Sequence, residues 1–256
     1  MKARRPVAVV TGGRKGIGFG IAQALARSGF DLTITGVETE PPLAELAELK
    51  ASGGQAIYLP SDLADLSGHV ATVEAIGAAL GEIDCLVNNA GISPVVRGDF
   101  LELAPENFDR IIDVNLRGTV FFTQAVVRSM LAAKMSPTPR SVINITSVSA
   151  ALSSPERLDY CISKAGLSTF SQGLALRLAE TGIAVFEVRP GIIRTDMTAQ
   201  VSEKYDALID SGLVPMKRWG EANDVGSIVA ALAKGGFGFA TGSVISADGG
   251  LGIGRL

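Results

Sequence analysis

The sequence predicts an α/β fold, a doubly wound parallel sheet of about seven strands with helices on both faces. Three observations predict it. Short β-branched runs alternate with longer helical stretches along the whole chain. The runs are almost uniformly apolar, as strands are when helices cover both faces of their sheet. Apolar residues make up 47% of the chain and charged residues 19%, which suits a large buried core and argues against disorder. At 256 residues the chain is read as one domain, 1–256, because α/β folds of this size commonly share a single core.

The strands are expected at VAVVT (7–11), DLTIT (31–35), QAIYL (55–59), CLVNN (85–89), SVINIT (141–146), AVFEV (184–188) and SVISA (243–247). The helices are expected near 17–28, 41–52, 67–80, 106–134, 158–180 and 222–234. SPTPR (136–140) reads as a turn-rich connector rather than a domain linker. Residues 192–216 have no clear place in the alternation. Long segments of that kind are often lids, so a substrate lid is expected there.

Bulk properties exclude several classes. The net charge is −3, from 23 basic and 26 acidic side chains, so no basic excess points to nucleic acid or an anionic membrane. Cys85 and Cys161 have neither metal-type spacing nor a disulfide pattern, which fits a reducing, cytoplasmic setting. The apolar run VAVV is too short for a signal peptide, and no run is long enough to span a membrane. His69 is the only histidine and has no partner of metal-ligand type nearby, so no metal is expected.

The stretch TGGRKGIGFG carries Gly12, Gly13, Gly16, Gly18 and Gly20 directly after the first strand. In a doubly wound sheet, ligands bind beyond the carboxyl ends of the strands. The glycines therefore fall in the first β-to-α turn. There a phosphate can rest on a helix N-terminus, and a dinucleotide can approach with no Cβ in the way. A glycine-rich surface turn is the plainer alternative, and the rest of the sequence decides between them.

The spacing Thr-Gly-x3-Gly-x-Gly resembles the short-chain dehydrogenase/reductase family, and further marks of that family follow in order. They are NNAG (88–91), Asn115 in DVNLRG, Ser147 in NITSVS, Tyr160 and Lys164 in YCISK, PGIIRT (190–195) and DGG (248–250). The resemblance covers essentially the whole chain. It implies a Rossmann-type fold and hydride transfer between a nicotinamide cofactor and a carbonyl or secondary alcohol.

Tyr160 and Lys164 are four residues apart in a helical stretch and share a face. A free tyrosine titrates near 10, so proton exchange at neutral pH calls for a lower value. Lowering it by two units takes roughly 2.7 kcal/mol, a demand suited to a close ammonium and a cationic nicotinamide. Ser147 would hydrogen-bond the substrate oxygen beside Tyr160. The resemblance gives Lys164 the nicotinamide ribose as well, and gives Asn115 a water chain that carries the proton away. In the glycine turn, Gly12, Arg14, Lys15, Gly16, Ile17 and Gly18 are expected to bind the cofactor. Asp62 and Leu63 would border the adenine, and Asn89, Ala90 and Gly91 would wall the adenosine. Pro190 and Gly191 would lie beneath the nicotinamide, with Ile193 and Thr195 holding its carboxamide.

The acid that binds a ribose 2′-hydroxyl in NAD enzymes is replaced by Gly36, and Arg14 and Lys15 offer charge for a 2′-phosphate. Both features favour NADP over NAD, whereas Glu38 and Glu40 favour NAD if they turn inward. The substrate pocket is expected from Ile92, Ser93, Pro94, Val148, Ser149, Ala150, Leu152 and the lid, with Glu156, Arg157 and Asp159 near Tyr160. The pattern is most similar to 3-oxoacyl-carrier-protein reductases, whose acidic partner would need basic residues such as Arg97, Arg128, Arg177 and Lys134. A sugar, polyol or other secondary alcohol is the alternative substrate, and a non-catalytic dinucleotide sensor a remote one. Cys161 and Cys85 read as packing residues, and Trp219 as a contact between the lid and the next helix. The apolar stretch 120–135 corresponds to a helix that packs between subunits in the family, which implies a homotetramer.

Overall fold

The computed structural model describes residues 4–94, 96–133, 138–199 and 201–254. Seven parallel strands form one sheet in the order β3-β2-β1-β4-β5-β6-β7. They are β1 (Val7–Val10), β2 (Asp31–Gly36), β3 (Ala56–Pro60), β4 (Ile83–Asn88), β5 (Arg140–Ile145), β6 (Ile183–Pro190) and β7 (Val244–Ala247). The helices are α1 (Gly16–Arg27), α2 (Leu43–Lys50), α3 (His69–Leu80), α4 (Pro105–Ile112), α5 (Thr119–Ala132), α6 (Leu158–Leu178), α7 (Asp196–Ala199), α8 (Ser202–Asp210) and α9 (Ala222–Ala233).

The apolar strands feed two cores. Ala8 and Val10 of β1 pack with Ile21, Leu25, Leu46 and Val229 on the face of α1, α2 and α9. Val7 and Val9 point the other way, onto Val73, Ile76, Phe122 and Val126 of α3 and α5. This is the period-two alternation of a strand covered on both sides. Helices α1 and α9 cross closely because Gly20 has no side chain: a Cβ there would come 2.6 Å from the Cβ of Ala222.

Strand order reverses between β1 and β4, where a doubly wound sheet opens its ligand crevice. Every expected strand and helix is present, with ends displaced by a few residues. Two segments differ from expectation. The helix expected over 106–134 is interrupted by a π-helical turn at Asp113–Gly118. The unplaced residues 192–216 contain the short helices α7 and α8. Lys134, Met135, Ser136 and Pro137, which fall in the expected helix, connector and basic set, lie outside the described residues. No helix among the described residues is long and apolar enough to cross a membrane.

Candidate active site

A cavity of about 1300 Å³ runs along the carboxyl ends of the strands. At one end stands the glycine turn. Gly12 and Gly16 have φ of +63° and +54°, the left-handed region that a side chain strains. A Cβ on Gly18 would collide with the carbonyl of Gly12 and the amide of Asn89. Helix α1 begins at Gly16 with no side-chain cap and no acid in its first turn. Its first N–H groups and dipole therefore remain available to a phosphate. Together the bare turn and the uncapped helix fit a dinucleotide.

The wall at Asn89, Ala90 and Gly91 is braced from behind by the buried Thr11. Thr11 Oγ1 accepts from the backbone N–H of Asn89 and of Ala90, both at 3.0 Å. Asn89 Nδ2 donates to the carbonyls of Thr11 at 2.9 Å and Gly12 at 3.2 Å. These bonds join the ends of β1 and β4 and fix the loop of Ala90 and Gly91. Asp62 also lines the cavity while its Oδ1 accepts from the N–H of Ala64, a local turn bond. Leu63 is buried, and its carbonyl contacts the His69 ring at 3.1 Å. Burial lowers the pKa of His69, which packs edge-on against Phe122. It braces the Leu63 loop, and no metal-holding group of His, Cys, Asp and Glu occurs among the described residues.

At the other end, Ser147 follows β5 and caps a short 3-10 turn, its Oγ accepting from the N–H of Ser149 at 3.1 Å. Tyr160 and Lys164 project from the first turns of α6, with Lys164 Nζ 5.7 Å from the Tyr160 ring centroid. Lys164 is 4% exposed, and its ammonium donates to the Ile145 carbonyl at 3.1 Å. Burial lowers its pKa from 10.5 to about 8, against an opposing pull from Glu187. Burial also raises the Tyr160 pKa, which outweighs the lowering by the Ser147 hydrogen bond and the Arg157 guanidinium. The expected lowering draws on the cationic nicotinamide as well as on Lys164, and the protein alone supplies only the second. In the protein by itself the ammonium is turned to a backbone carbonyl, and desolvation dominates the phenol.

Of the expected catalytic and cofactor-binding residues, Asn115 alone is off the cavity wall. It is fully buried in the π-helical turn. There its Oδ1 accepts from Ile92 N at 2.8 Å, and its Nδ2 donates to Ile92 O at 3.0 Å. The amide thus clamps the loop whose Gly91 passes between Asn115 and Lys164. Pro190, Gly191, Ile193 and Thr195 line the cavity beyond β6. The Gly191 N–H donates to the Ala247 carbonyl at 3.0 Å. Thr198 Oγ1 donates to the Ile193 carbonyl at 2.9 Å and accepts from Thr195 N at 3.0 Å.

Among the expected substrate-pocket residues, Ile92, Ser93, Val148, Ser149 and Leu152 are on the wall, whereas Pro94 and Ala150 are not. Pro94 is buried under its loop, and successive residues of the 3-10 turn at Val148–Ala150 point in different directions. Arg97 shares the cavity wall, but Arg128 and Arg177 are exposed on α5 and α6 away from it. Arg110 on α4 also faces the cavity, a placement that needs the tertiary fold to be seen. Cys161 packs in the core of α6, off the wall, and Cys85 is a core thiol that burial pushes up to about 12. Trp219 is buried against Tyr205 of α8, donating to Asp206 at 2.6 Å.

At the outer end, Glu38 does turn inward. Its carboxylate lies 3.4 Å from Arg14, while the guanidinium also donates to the backbone carbonyl of Glu40. Lys15 is exposed beside Asp196 at 3.8 Å.

A family model described as Enoyl-(Acyl carrier protein) reductase matches residues 12–252, nearly the whole chain. The chain belongs to the short-chain dehydrogenase/reductase family. It is an NAD(P)-dependent oxidoreductase acting on CH–OH and C=O groups, as its family is. Similar short-chain dehydrogenases/reductases include the 3-oxoacyl-(acyl-carrier-protein) reductase FabG of Haemophilus influenzae, 35% identical over 96% of this chain and 97% of that one. The crystal structure of a 3-oxoacyl-(acyl-carrier protein) reductase from Brucella melitensis in complex with NAD is 66% identical. It covers all of both chains with a TM-score of 0.97. A structure from Agrobacterium tumefaciens with bound NADP is 29% identical over 97% of this chain and 96% of that one, at a TM-score of 0.85.

Proposed function

We propose that this short-chain dehydrogenase/reductase reduces 3-oxoacyl thioesters to 3-hydroxyacyl thioesters, on a carrier protein or a smaller thiol. The grouping of Ser147, Tyr160 and Lys164 on the wall of the cavity that the glycine turn also lines carries the reading. Full-length similarity to 3-oxoacyl-(acyl-carrier-protein) reductases supports the substrate class. Gly12, Gly16, Ile17 and Gly18 would hold the pyrophosphate, Asp62, Leu63, Asn89, Ala90 and Gly91 the adenosine, and Pro190, Gly191, Ile193 and Thr195 the nicotinamide. The bound cofactor supplies the hydride.

The protein's part is placement and proton transfer. Ser147 donates to the substrate carbonyl and holds it against the Tyr160 hydroxyl. Tyr160 gives its proton to that oxygen as negative charge develops there. Lys164 sits under the phenol, where its positive charge compensates the phenolate left behind. Asn115 fixes the Ile92 loop beside them, and its Nδ2 also donates to Ser163 Oγ at 3.3 Å.

NADP is the favoured cofactor, with NAD accepted. Arg14 supports the 2′-phosphate, and Glu38 opposes it. We further propose a homotetramer, supported by the exposed apolar Phe121 and Leu131 of α5 and Ile162 and Leu176 of α6, in a cytoplasmic setting that suits the free Cys85 and Cys161. Residues 192–216 would close over the substrate, tethered by Lys204 of α8, 3.5 Å from Glu156.

The hydroxyls of Ser93, Ser149, Ser153 and Ser154 on the cavity wall favour a second reading, a sugar or polyol. Following NADPH and NADH absorbance with acetoacetyl thioesters, diketones and sugars separates the two. Turnover of thioesters with NADPH is expected. Turnover of sugars alone would establish the second reading, and tight cofactor binding with no turnover would mark a sensor.

A further inference from the structure

Behind Lys164 lies an ion cluster that the proposed chemistry does not use. Glu187 of β6 is 1% exposed. Its Oε1 accepts from Thr146 Oγ1 at 2.7 Å and from Arg189 Nε at 2.6 Å. Its Oε2 accepts from Ser168 Oγ at 2.8 Å, and Arg189 Nη2 donates to the same hydroxyl at 2.8 Å. Glu187, Arg189 and Ser168 are all off the cavity wall. A buried ion pair of this kind adds little stability over well-packed apolar side chains, because desolvation offsets the attraction. Its position suggests a different use. Thr146 lies between Ile145, whose carbonyl takes the Lys164 ammonium, and Ser147. Ser168 is one helical turn beyond Lys164 on the same face of α6.

We propose that Glu187, held by Arg189, is a positioning residue for the catalytic centre: its carboxylate ties Thr146 at the end of β5 to Ser168 of α6, and so fixes the segment whose Ile145 carbonyl takes the Lys164 ammonium. The proposal rests on the reading of Lys164 as the working cation. Burial pulls the Lys164 pKa down to about 8, and Glu187 acts in the opposite direction. The other groups around Lys164 do not replace it. Tyr160 and Cys161 precede it on α6, with the buried Asp159 bonded to the Tyr160 N–H and Arg157 set over the Tyr160 ring. Strand β5 presents the carbonyl of Ile145 and the hydroxyls of Thr146 and Ser147, and the π-helical turn presents the neutral amide of Asn115.

The test is a 13C NMR titration of 13C-lysine-labelled, cofactor-free protein, with the Lys164 resonance assigned by its loss in Lys164→Met. The wild type should titrate at about 8. Glu187→Gln should move the midpoint about one pH unit lower. That variant leaves Arg189 without its carboxylate, so the double variant E187Q/R189Q removes both charges and keeps a neutral cluster. It should show the same downward direction. A double variant that titrates at the wild-type value or above would overturn the proposal, since only charge balance or packing would then have been disturbed. The alkaline limb of turnover should fall in parallel. If the wild type turned over no ketone, the proposed reaction would fail while the titration remained decisive.

Discussion

At the catalytic end of the cleft, Lys164 is 4% exposed and Asn115 is fully buried, and each holds a backbone group of a neighbouring element. At the outer end, the side chains of Arg14 and Glu38 are 26% and 51% exposed and lie 3.4 Å apart, with Arg14 also donating to the Glu40 carbonyl at 3.0 Å. The first arrangement fixes geometry, because a displaced side chain would leave a buried donor or acceptor unpaired. The second is a partly solvated pair whose partners can exchange with water or a ligand at small cost. Substitutions at the two ends should therefore differ in kind: loss of chemistry at one, redistribution of preference at the other.

The largest effect is expected from Tyr160→Phe. Turnover should fall by about a thousandfold or more, since the proton donor to the substrate oxygen is gone. The cofactor dissociation constant, measured by fluorescence titration, should change by less than about threefold, roughly 0.6 kcal/mol. Near-normal turnover would remove the tyrosine from the mechanism. Next is Asn115→Ala, which leaves the N–H and the carbonyl of Ile92 without their partners. It should cost about 2 kcal/mol in denaturant unfolding and lower kcat by about tenfold or more. Full activity with unchanged stability would show that the clamp is unnecessary.

These residues were readable in the sequence for a physical reason. Ser147 sits where a strand ends, Tyr160 and Lys164 one helical turn apart, and the glycines where the first strand meets its helix. Position along the chain alone sets such geometry. The strands themselves were legible because residues covered on both faces must be apolar. The π-helical turn at 113–118 was not legible, since DVNLRG has the composition of ordinary helix. Helices α7 and α8 are short, and α8 owes its place to tertiary contacts of Tyr205 and Asp206 with Trp219. The inward turn of Glu38 is likewise a tertiary outcome. The burial of Tyr160 and Lys164, which raises the pKa of one and lowers that of the other, is invisible to spacing.

Lys164→Met should show the conflict between stability and function at the catalytic end. The folded pKa of Lys164, about 8, lies below its ordinary 10.5, so the ammonium is held at a penalty that is full below pH 8. The variant should be inactive yet more stable at pH 7, by about 1–3 kcal/mol after the loss of the bond to Ile145. The wild type should recover this difference between pH 8 and 10.5. Denaturant midpoints of both proteins at pH 7 and pH 10 check it, and a variant less stable at pH 7 would contradict it.

The smallest effect is expected at the outer end. Glu38→Gln removes the negative charge beside Arg14 and should raise the kcat/KM ratio of NADPH over NADH about fivefold, roughly 1 kcal/mol, with little change in kcat. An unchanged ratio would mean that the pair does not meet the ribose.

The most direct test of the central claim follows the isotope. Wild-type protein should be supplied with each stereospecifically 4-deuterated form of NADPH and an acetoacetyl thioester in ordinary water, and the product analysed by mass spectrometry and NMR. We expect one of the two forms to deliver a single deuterium to the carbinol carbon, and Tyr160→Phe to yield almost none of this product. Cofactor oxidation without deuterium on that carbon, or equal product from the phenylalanine variant, would contradict the account.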